Sequence, residues 1–227
     1  MLLALVGCSG TFHTDQGQDA VRSALSFDVN ALEGITNPAV PREVVILLLN
    51  STVPCRAPEV ENDPGTTTVD EAAAAAEYWQ AQVYSAFSRE GALAVAMGLY
   101  TYEPAWDGRY SFHPTAFTDA RDLLQAETRV AFGSWYRVDE AVVLDAQGVF
   151  STYRPTDISY DAAVSEPAWL NLTTSGAGTL SGNFSFTPTE LSGTFSAEGC
   201  ENRELLDALL AQVVQLNYLG GATASGR

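Results

Sequence analysis

The sequence predicts a mainly β fold of the α+β class, an antiparallel β-sandwich or open barrel with one inserted helix and a C-terminal helix. The strongest signal is Gly178–Cys200, where apolar and polar residues alternate on both sides of a turn at Thr187–Glu190, as in a half-buried β-hairpin. The apolar run Val44–Leu49 is too short to cross a membrane and predicts the central buried strand. Apolar residues recur at helical spacing in 68–90 and 202–216, which predicts the two helices.

The register of the hairpin follows from its aromatic and glycine residues. Phe184 is expected opposite Gly193 and Phe195 opposite Gly182, so that each ring covers a glycine backbone. A shift by one residue would bury serines and expose large apolar side chains. We therefore expect this register to be strongly specified.

The composition predicts one acidic domain. A chain of 227 residues can bury about 70% of its unfolded surface, so it can form a sizeable core. Its 28 acidic and 11 basic residues give a formal net charge of −17, and every basic residue is arginine. This balance argues against nucleic-acid binding and against electrostatic attachment to an anionic membrane. We expect a solvated acidic surface, with an acidic site for cations as the alternative.

The chain divides into three regions. Residues 1–20 are predicted to be an N-terminal signal-like segment that continues, from residue 9, as a polar tether. Residues 21–200 form the antiparallel β domain with its helical insertion at 68–90, and residues 201–227 form the C-terminal helix and a disordered tail. Alternation predicts further strands at 21–30, 93–100, 108–112, 130–138, 141–144, 149–154 and 168–174.

Both helices carry recognisable end signals. The inserted helix begins at a capping box, Thr68–Glu71, and ends at Gly91. Asn202 is placed to cap the C-terminal helix, whose apolar stripe is broad. We expect this stripe to dock on the sheet of the same chain, and docking on another protein is the alternative.

The N-terminus carries a short motif that ends in a cysteine. Leu5-Val6-Gly7-Cys8 resembles the lipobox of bacterial lipoproteins. The resemblance implies cleavage before Cys8 and acylation of its thiol and new amine. Because no Lys or Arg precedes Cys8 and the apolar run is short, we expect the natural start to lie upstream. The alternative is a buried strand or helix at the N-terminus.

The order of motifs along the chain resembles that of lipoproteins of Gram-negative cell envelopes. The matching parts are Val44–Leu49 followed by Cys55, Gly108-Arg109-Tyr110, and Ser192–Ala197 followed by Cys200. The resemblance covers most of residues 21–200 and implies a location, the bacterial envelope and its outer membrane, and a disulfide. It implies no particular activity.

The two remaining cysteines can form that disulfide. Cys55 and Cys200 each lie a few residues beyond a predicted strand end, so neighbouring strands could bring them together at one edge of the core. In an envelope protein we expect a bond between them, whereas in the cytosol two separate buried thiols would be expected.

The sequence contains no motif for catalysis, cofactor binding or metal binding. Its two histidines, His13 and His113, lie far apart in the chain, and C-x-x-C, H-E-x-x-H and G-x-S-x-G are absent. The carboxylate clusters 61–63 and 139–140 lack the spacing of a calcium loop. We therefore name no catalytic, cofactor-binding or metal-binding residue.

The sequence thus predicts a lipid-anchored envelope protein with a binding or structural role. Its expected partners are the membrane, through a lipid on Cys8, and an envelope protein or polysaccharide; nucleic acid is not expected. The alternative is a hydrolase acting on envelope or extracellular polymers, with carboxylates on separate strands that leave no local signature. A cleft with two inward carboxylates of raised pKa would favour the hydrolase.

Overall fold

The fold is taken from a computed structural model. The structure describes residues 9–14, 17–55, 81, 83, 85–86, 89–113, 119–138, 143–144, 150–152, 155–157, 168–175, 179–186 and 191–210. Several predicted features lie outside these residues: the helix start Thr68–Glu71, the turn Thr187–Glu190, the carboxylate clusters 61–63 and 139–140, and residues 211–227 with the last part of the C-terminal helix and the tail.

The described residues form thirteen strands and parts of four helices. The strands are β1 Ser9–Thr14, β2 Gly17–Ala20, β3 Ser23–Asp28, β4 Arg42–Leu49, β5 Leu93–Thr101, β6 Gly108–His113, β7 Arg129–Val138, β8 Val143–Leu144, β9 Phe150–Thr152, β10 Pro155–Asp157, β11 Trp169–Ser175, β12 Thr179–Phe186 and β13 Leu191–Gly199. The helices are α1 Val29–Glu33, α2 with described positions 81, 83, 85 and 86, α3 Ala120–Leu123, and α4 from 203 to 210.

Eight strands close into a barrel in the order β3-β4-β5-β7-β6-β11-β12-β13 and back to β3. The mainly β prediction is confirmed, but the sandwich is wrong and the barrel is closed rather than open. Strand β13 causes the closure, because it pairs with β12 on one edge and with β3 on the other. Sandwiches and barrels share the same alternation of residues, so the sequence pattern could not separate them.

The barrel is also not wholly antiparallel. Strands β6 and β7 pair in parallel, as do β13 and β3 through Glu198–Gly199 and Leu25–Ser26. A parallel pair needs a crossover connection, and α3 lies in the one between β6 and β7. Asp119 caps α3 by accepting a hydrogen bond from the Arg121 N–H at 2.8 Å.

The predicted polar tether at 9–20 is wrong, because residues 9–14 and 17–20 form strands β1 and β2 of the same sheet as the barrel. Strand β1 pairs with the first half of β13, and β2 pairs with the free edge of β1. Phe12 lies opposite Gly193 and is fully buried in the barrel core. The Val21 N–H donates to the Gly10 carbonyl at 3.1 Å. Strand β1 therefore lies between β13 and the residues that lead into β3.

The barrel interior is filled mainly by one apolar cluster, beside which Arg137 of β7 is also buried. Its members are Phe12, Val21, Ala24, Val44, Ile46, Leu48, Leu93, Val95, Met97, Leu99, Trp106, Tyr110, Phe112, Ala131, Trp135, Ala168, Leu170, Leu172, Leu180, Phe184, Phe186, Leu191, Phe195 and Ala197. The described interior is therefore a packed core, which is one of the two states open to an eight-stranded barrel.

A second apolar cluster covers the outside of β3, β4 and β5. Val45, Leu47 and Leu49 point outward from β4, and α2 and α4 pack over them. The predicted central strand is confirmed as buried on both faces, since its alternate residues belong to the two clusters. The C-terminal helix docks on its own sheet, as expected, through Leu205 and Leu206.

The register of the β12–β13 hairpin is confirmed. Phe184 lies opposite Gly193 and Phe195 opposite Gly182, with both rings buried in the barrel. A Cβ on Gly193 would lie 2.8 Å from a ring carbon of Phe184, which shows how closely the ring covers the glycine. Glycine is required here because the ring occupies the space that any side chain would need.

Candidate functional site: the open wall of the barrel

The cysteines predicted as site residues have different outcomes. Cys8 lies outside the described residues. Cys55 and Cys200 form the predicted disulfide, with their Cα atoms 5.7 Å apart and 145 residues of separation along the chain. The alternative of two separate buried thiols is therefore wrong.

The disulfide fastens the helical cover to the barrel. The Cys200 N–H donates to the Ser26 carbonyl at 2.8 Å, which ties the bridge to β3. The Asn202 side chain donates to the Cys55 carbonyl at 3.0 Å and accepts from the Leu205 N–H at 3.0 Å. Asn202 thus caps α4, as predicted, and links that cap to the bridge. These contacts tie the chain after β4, the end of β13 and the start of α4 together.

The other side of the barrel is formed by β11, β12, β13, β1 and β2, whose outward side chains are exposed or half-buried. We call these side chains the open wall: Thr11, His13, Gln18, Ala20, Trp169, Asn171, Thr173, Ser181, Asn183, Ser185, Ser192, Thr194 and Ser196. Period-two alternation places them outside because Phe12, Leu170, Phe184 and Phe195 point inward.

The registers align the open wall in rows across the strands. One row contains Asn171, Asn183, Thr194 and Thr11, and the next contains Trp169, Ser185, Ser192 and His13. Rows are about 7 Å apart along a strand, and neighbours in a row are about 4.8 Å apart. Such spacing presents a lattice of hydroxyl and amide groups that can donate and accept hydrogen bonds.

The open wall differs from the rest of the chain in charge. Its five strands carry only two described carboxylates, Glu198 near the end of β13 and exposed Asp19 on β2, although the chain contains 28 acidic residues. Exposed Arg22 follows β2 at one margin, and exposed Arg109 lies on β6 at the other. The Arg109 guanidinium lies 5.6 Å from the centroid of the Trp169 ring, a cation–π contact.

One end of the barrel has the opposite character. We call it the acidic end: it comprises Asp28 and α1, the first residues of β4 and β7, the β5–β6 connection, and the residues from Glu198 to Arg203. Its carboxylates are Asp28, Glu33, Glu103, Asp107, Glu198 and Glu201, and its arginines are Arg42, Arg129 and Arg203. Arg129 pairs with Glu103, and Arg203 lies 2.9 Å from Glu33, so two of the three cations are already engaged.

Arginine side chains close this end. Arg42 donates to the Glu103 carbonyl at 3.2 Å, and its guanidinium lies 4.4 Å from the centroid of the Trp106 ring. The Tyr110 hydroxyl donates to the Trp106 carbonyl at 3.0 Å, and burial raises the pKa of Tyr110 to about 12. These contacts hold the β5–β6 connection over the core.

Two carboxyl groups have shifted pKa values. Hydrogen bonds from Thr174 lower the pKa of Asp107, which is fully exposed. Burial raises the pKa of Glu43 above 4.5, although a hydrogen bond of 2.8 Å from the Tyr100 hydroxyl opposes this. Glu43 points outward from β4, so it is not one of two inward carboxylates, and its geometry does not favour the hydrolase.

Sequence reasoning missed the open wall as a unit. The signal was present, since the outward positions of the β12–β13 hairpin from Ser181 to Ser196 are serine, threonine or asparagine. Its continuation onto β1 and β2 could not be recognised, because these residues were interpreted as a tether.

Within the described ranges, no three His, Cys, Asp or Glu side chains come together in a way that could hold a metal ion. The described helices include none with the length and apolar content needed to cross a membrane. Comparison with known protein families, curated proteins and solved structures found no match to this chain.

Proposed function

We propose that this chain is a lipid-anchored protein of the bacterial envelope with a binding or structural role rather than an enzyme. The observation that carries the proposal is the Cys55–Cys200 disulfide. Disulfides persist in oxidising compartments such as the bacterial periplasm and are rare in the cytosol. A bond that fastens the cover to the barrel therefore supports an exported protein.

The anchor in this proposal is a lipid on Cys8. Support comes from the lipobox-like Leu5–Cys8 and from the position of the first strand, which begins at Ser9. One acyl chain gives only marginal membrane binding, so stable attachment needs the several chains of a mature lipoprotein. An envelope protein or polysaccharide is the further partner that we propose, and it would meet surfaces that face away from the bilayer.

Metabolic labelling tests this proposal. The protein, expressed in a Gram-negative host with a complete signal sequence, should incorporate a palmitate analogue through Cys8 and enter the detergent phase on phase separation. The matched control is Cys8→Ser, which keeps the polar, small side chain but removes the thiol. If the variant labels and partitions like the parent, the anchor proposal is wrong.

A further inference from the structure

We propose that the open wall is the surface of this protein that lies on the phospholipid headgroups once Cys8 is acylated. The inference rests on the proposed function, because it assumes the anchor. It adds an orientation: one side of the barrel faces the bilayer, and the helical cover and the acidic end face away from it.

The first step is the position of the anchor. Cys8 is bonded to Ser9, so their Cα atoms are about 3.8 Å apart. Ser9 is already the first residue of β1 and pairs with Ser196 of β13 in the barrel wall. No flexible spacer therefore separates the acylated residue from the folded barrel.

The second step is the choice of surface. Ser9 lies at the corner where the open wall meets the acidic end, since Ser196 is three residues before the end of β13 at Gly199. From that corner either surface could lie on the bilayer. The barrel could stand on its acidic end, or it could lie on its open wall.

Charge decides between the two. Anionic lipids give the membrane a negative surface potential that acts over a Debye length, about 8 Å at physiological ionic strength. An upright barrel would bring Asp107, Glu198 and Glu201 into this layer. A barrel lying on the open wall would instead bring mostly hydroxyl and amide groups, flanked by Arg22 and Arg109, with Asp19 and Glu198 as the carboxylates on its strands.

The chemistry of the wall fits a headgroup layer. Hydroxyl and amide side chains can donate to phosphate and glycerol oxygens and accept from amines. Half-buried Trp169 adds a ring of the kind enriched at membrane interfaces. The net charge of −17 opposes attachment by charge alone, so the wall needs the anchor to stay at the surface. The same charge disfavours a second copy of this chain as the occupant.

Site-specific labels on the acylated protein test the orientation. Asn183→Cys places a fluorophore in the middle of the open wall, Asp107→Cys places it on the acidic end, and Asp207→Cys places it on exposed α4. The introduced thiol reacts selectively, because Cys8 carries the lipid and Cys55 is bonded to Cys200. The protein is reconstituted in vesicles of phosphatidylethanolamine and phosphatidylglycerol that contain a Ni²⁺-chelating lipid as quencher.

We expect quenching at position 183 to exceed that at 107 and 207 several-fold. Strongest quenching at position 107 would overturn the inference in favour of an upright barrel. Equal, weak quenching at all three positions would overturn it as well, since the barrel would then stand away from the surface. If an isolated envelope polysaccharide protects the label at 183 from a soluble quencher, and the vesicles do not quench it, the open wall binds that polysaccharide instead.

A charge variant supplies a second measurement. Ser185→Glu with Thr194→Glu adds two carboxylates to the wall without touching the core, since both side chains point outward. Quenching at 183 should fall at least twofold at low salt and recover as salt screens the charge. The matched control, Ala81→Glu with Ser85→Glu at exposed positions of α2, adds the same two charges and should leave it unchanged. If the parent protein incorporates no palmitate analogue, the anchor proposal is wrong. If incorporation is normal but the wall variant is quenched as strongly as the parent, only the proposed orientation is wrong.

Discussion

Replacing Gly193 by alanine tests the packing of the barrel wall. The new Cβ would lie 2.6 Å from the Thr11 carbonyl oxygen and 2.8 Å from a ring carbon of Phe184. Neither neighbour can move freely, because the carbonyl belongs to the paired strand β1 and the Phe184 side chain is buried. Forcing extra volume into a packed core costs about 1–3 kcal/mol. For a domain of this size, each kcal/mol lowers Tm by about 2–4 °C.

The matched control is Gly98→Ala in β5. Its new Cβ would meet a ring atom of Tyr100 at 3.5 Å, an ordinary contact, and the backbone there has no positive φ. We expect it to be neutral or slightly stabilising, because alanine has the smaller entropy cost in a strand. Urea unfolding without a reducing agent keeps the disulfide intact and gives the free energy of unfolding of each variant. Equal stability of the two variants would refute the close packing of β1 against β13.

Three further predictions concern the disulfide, a buried carboxyl and the first strand. Replacing both Cys55 and Cys200 by serine should lower the free energy of unfolding by at most about 5 kcal/mol, the chain-entropy value for a loop of this length, and the shift of the urea midpoint measures it. Glu43→Gln should stabilise the protein at neutral pH, because burial raises the pKa of Glu43 in the folded state. The free energy of unfolding of the parent should therefore fall as the pH rises from 4.5 through that raised pKa. Unfolding experiments at several pH values should show that the variant lacks this fall. Phe12→Ala should cost about 3–5 kcal/mol in thermal unfolding, because it removes a fully buried ring, whereas His13→Ala on the exposed side of β1 should cost under about 1 kcal/mol.

The sequence predicted those parts of the fold in which local pattern and burial agree. The hairpin register could be derived because Phe184 and Phe195 each require a glycine opposite, and only one alignment buries both rings. Val44–Leu49 could be assigned as the central strand because a short run without polar residues has to be covered on both faces. The disulfide followed from two cysteines at the ends of such elements.

Other features depend on contacts distant in sequence. Residues 9–14 contain one large apolar side chain, Phe12, and the inward position next to it is Gly10, so the alternation of β1 is hidden. Gly10 is required there because a Cβ would lie 2.1 Å from the Thr194 carbonyl oxygen of the neighbouring strand. Barrel closure rests on the short parallel contact of β13 with β3, which leaves no local signature. The open wall became visible only with these strands in place.

The central proposal is that a lipid on Cys8 is joined directly to β1, a strand that pairs with the barrel wall. A flexible Gly/Ser spacer of about ten residues between Cys8 and Ser9, spanning about 18 Å on average, tests it directly. The account predicts unchanged palmitate incorporation and a loss of most of the headgroup quenching at position 183, because the acidic barrel is then free to leave the surface. Quenching that persists undiminished with the spacer in place would contradict it, since the direct junction of Cys8 with β1 would then have no part in holding the wall on the bilayer.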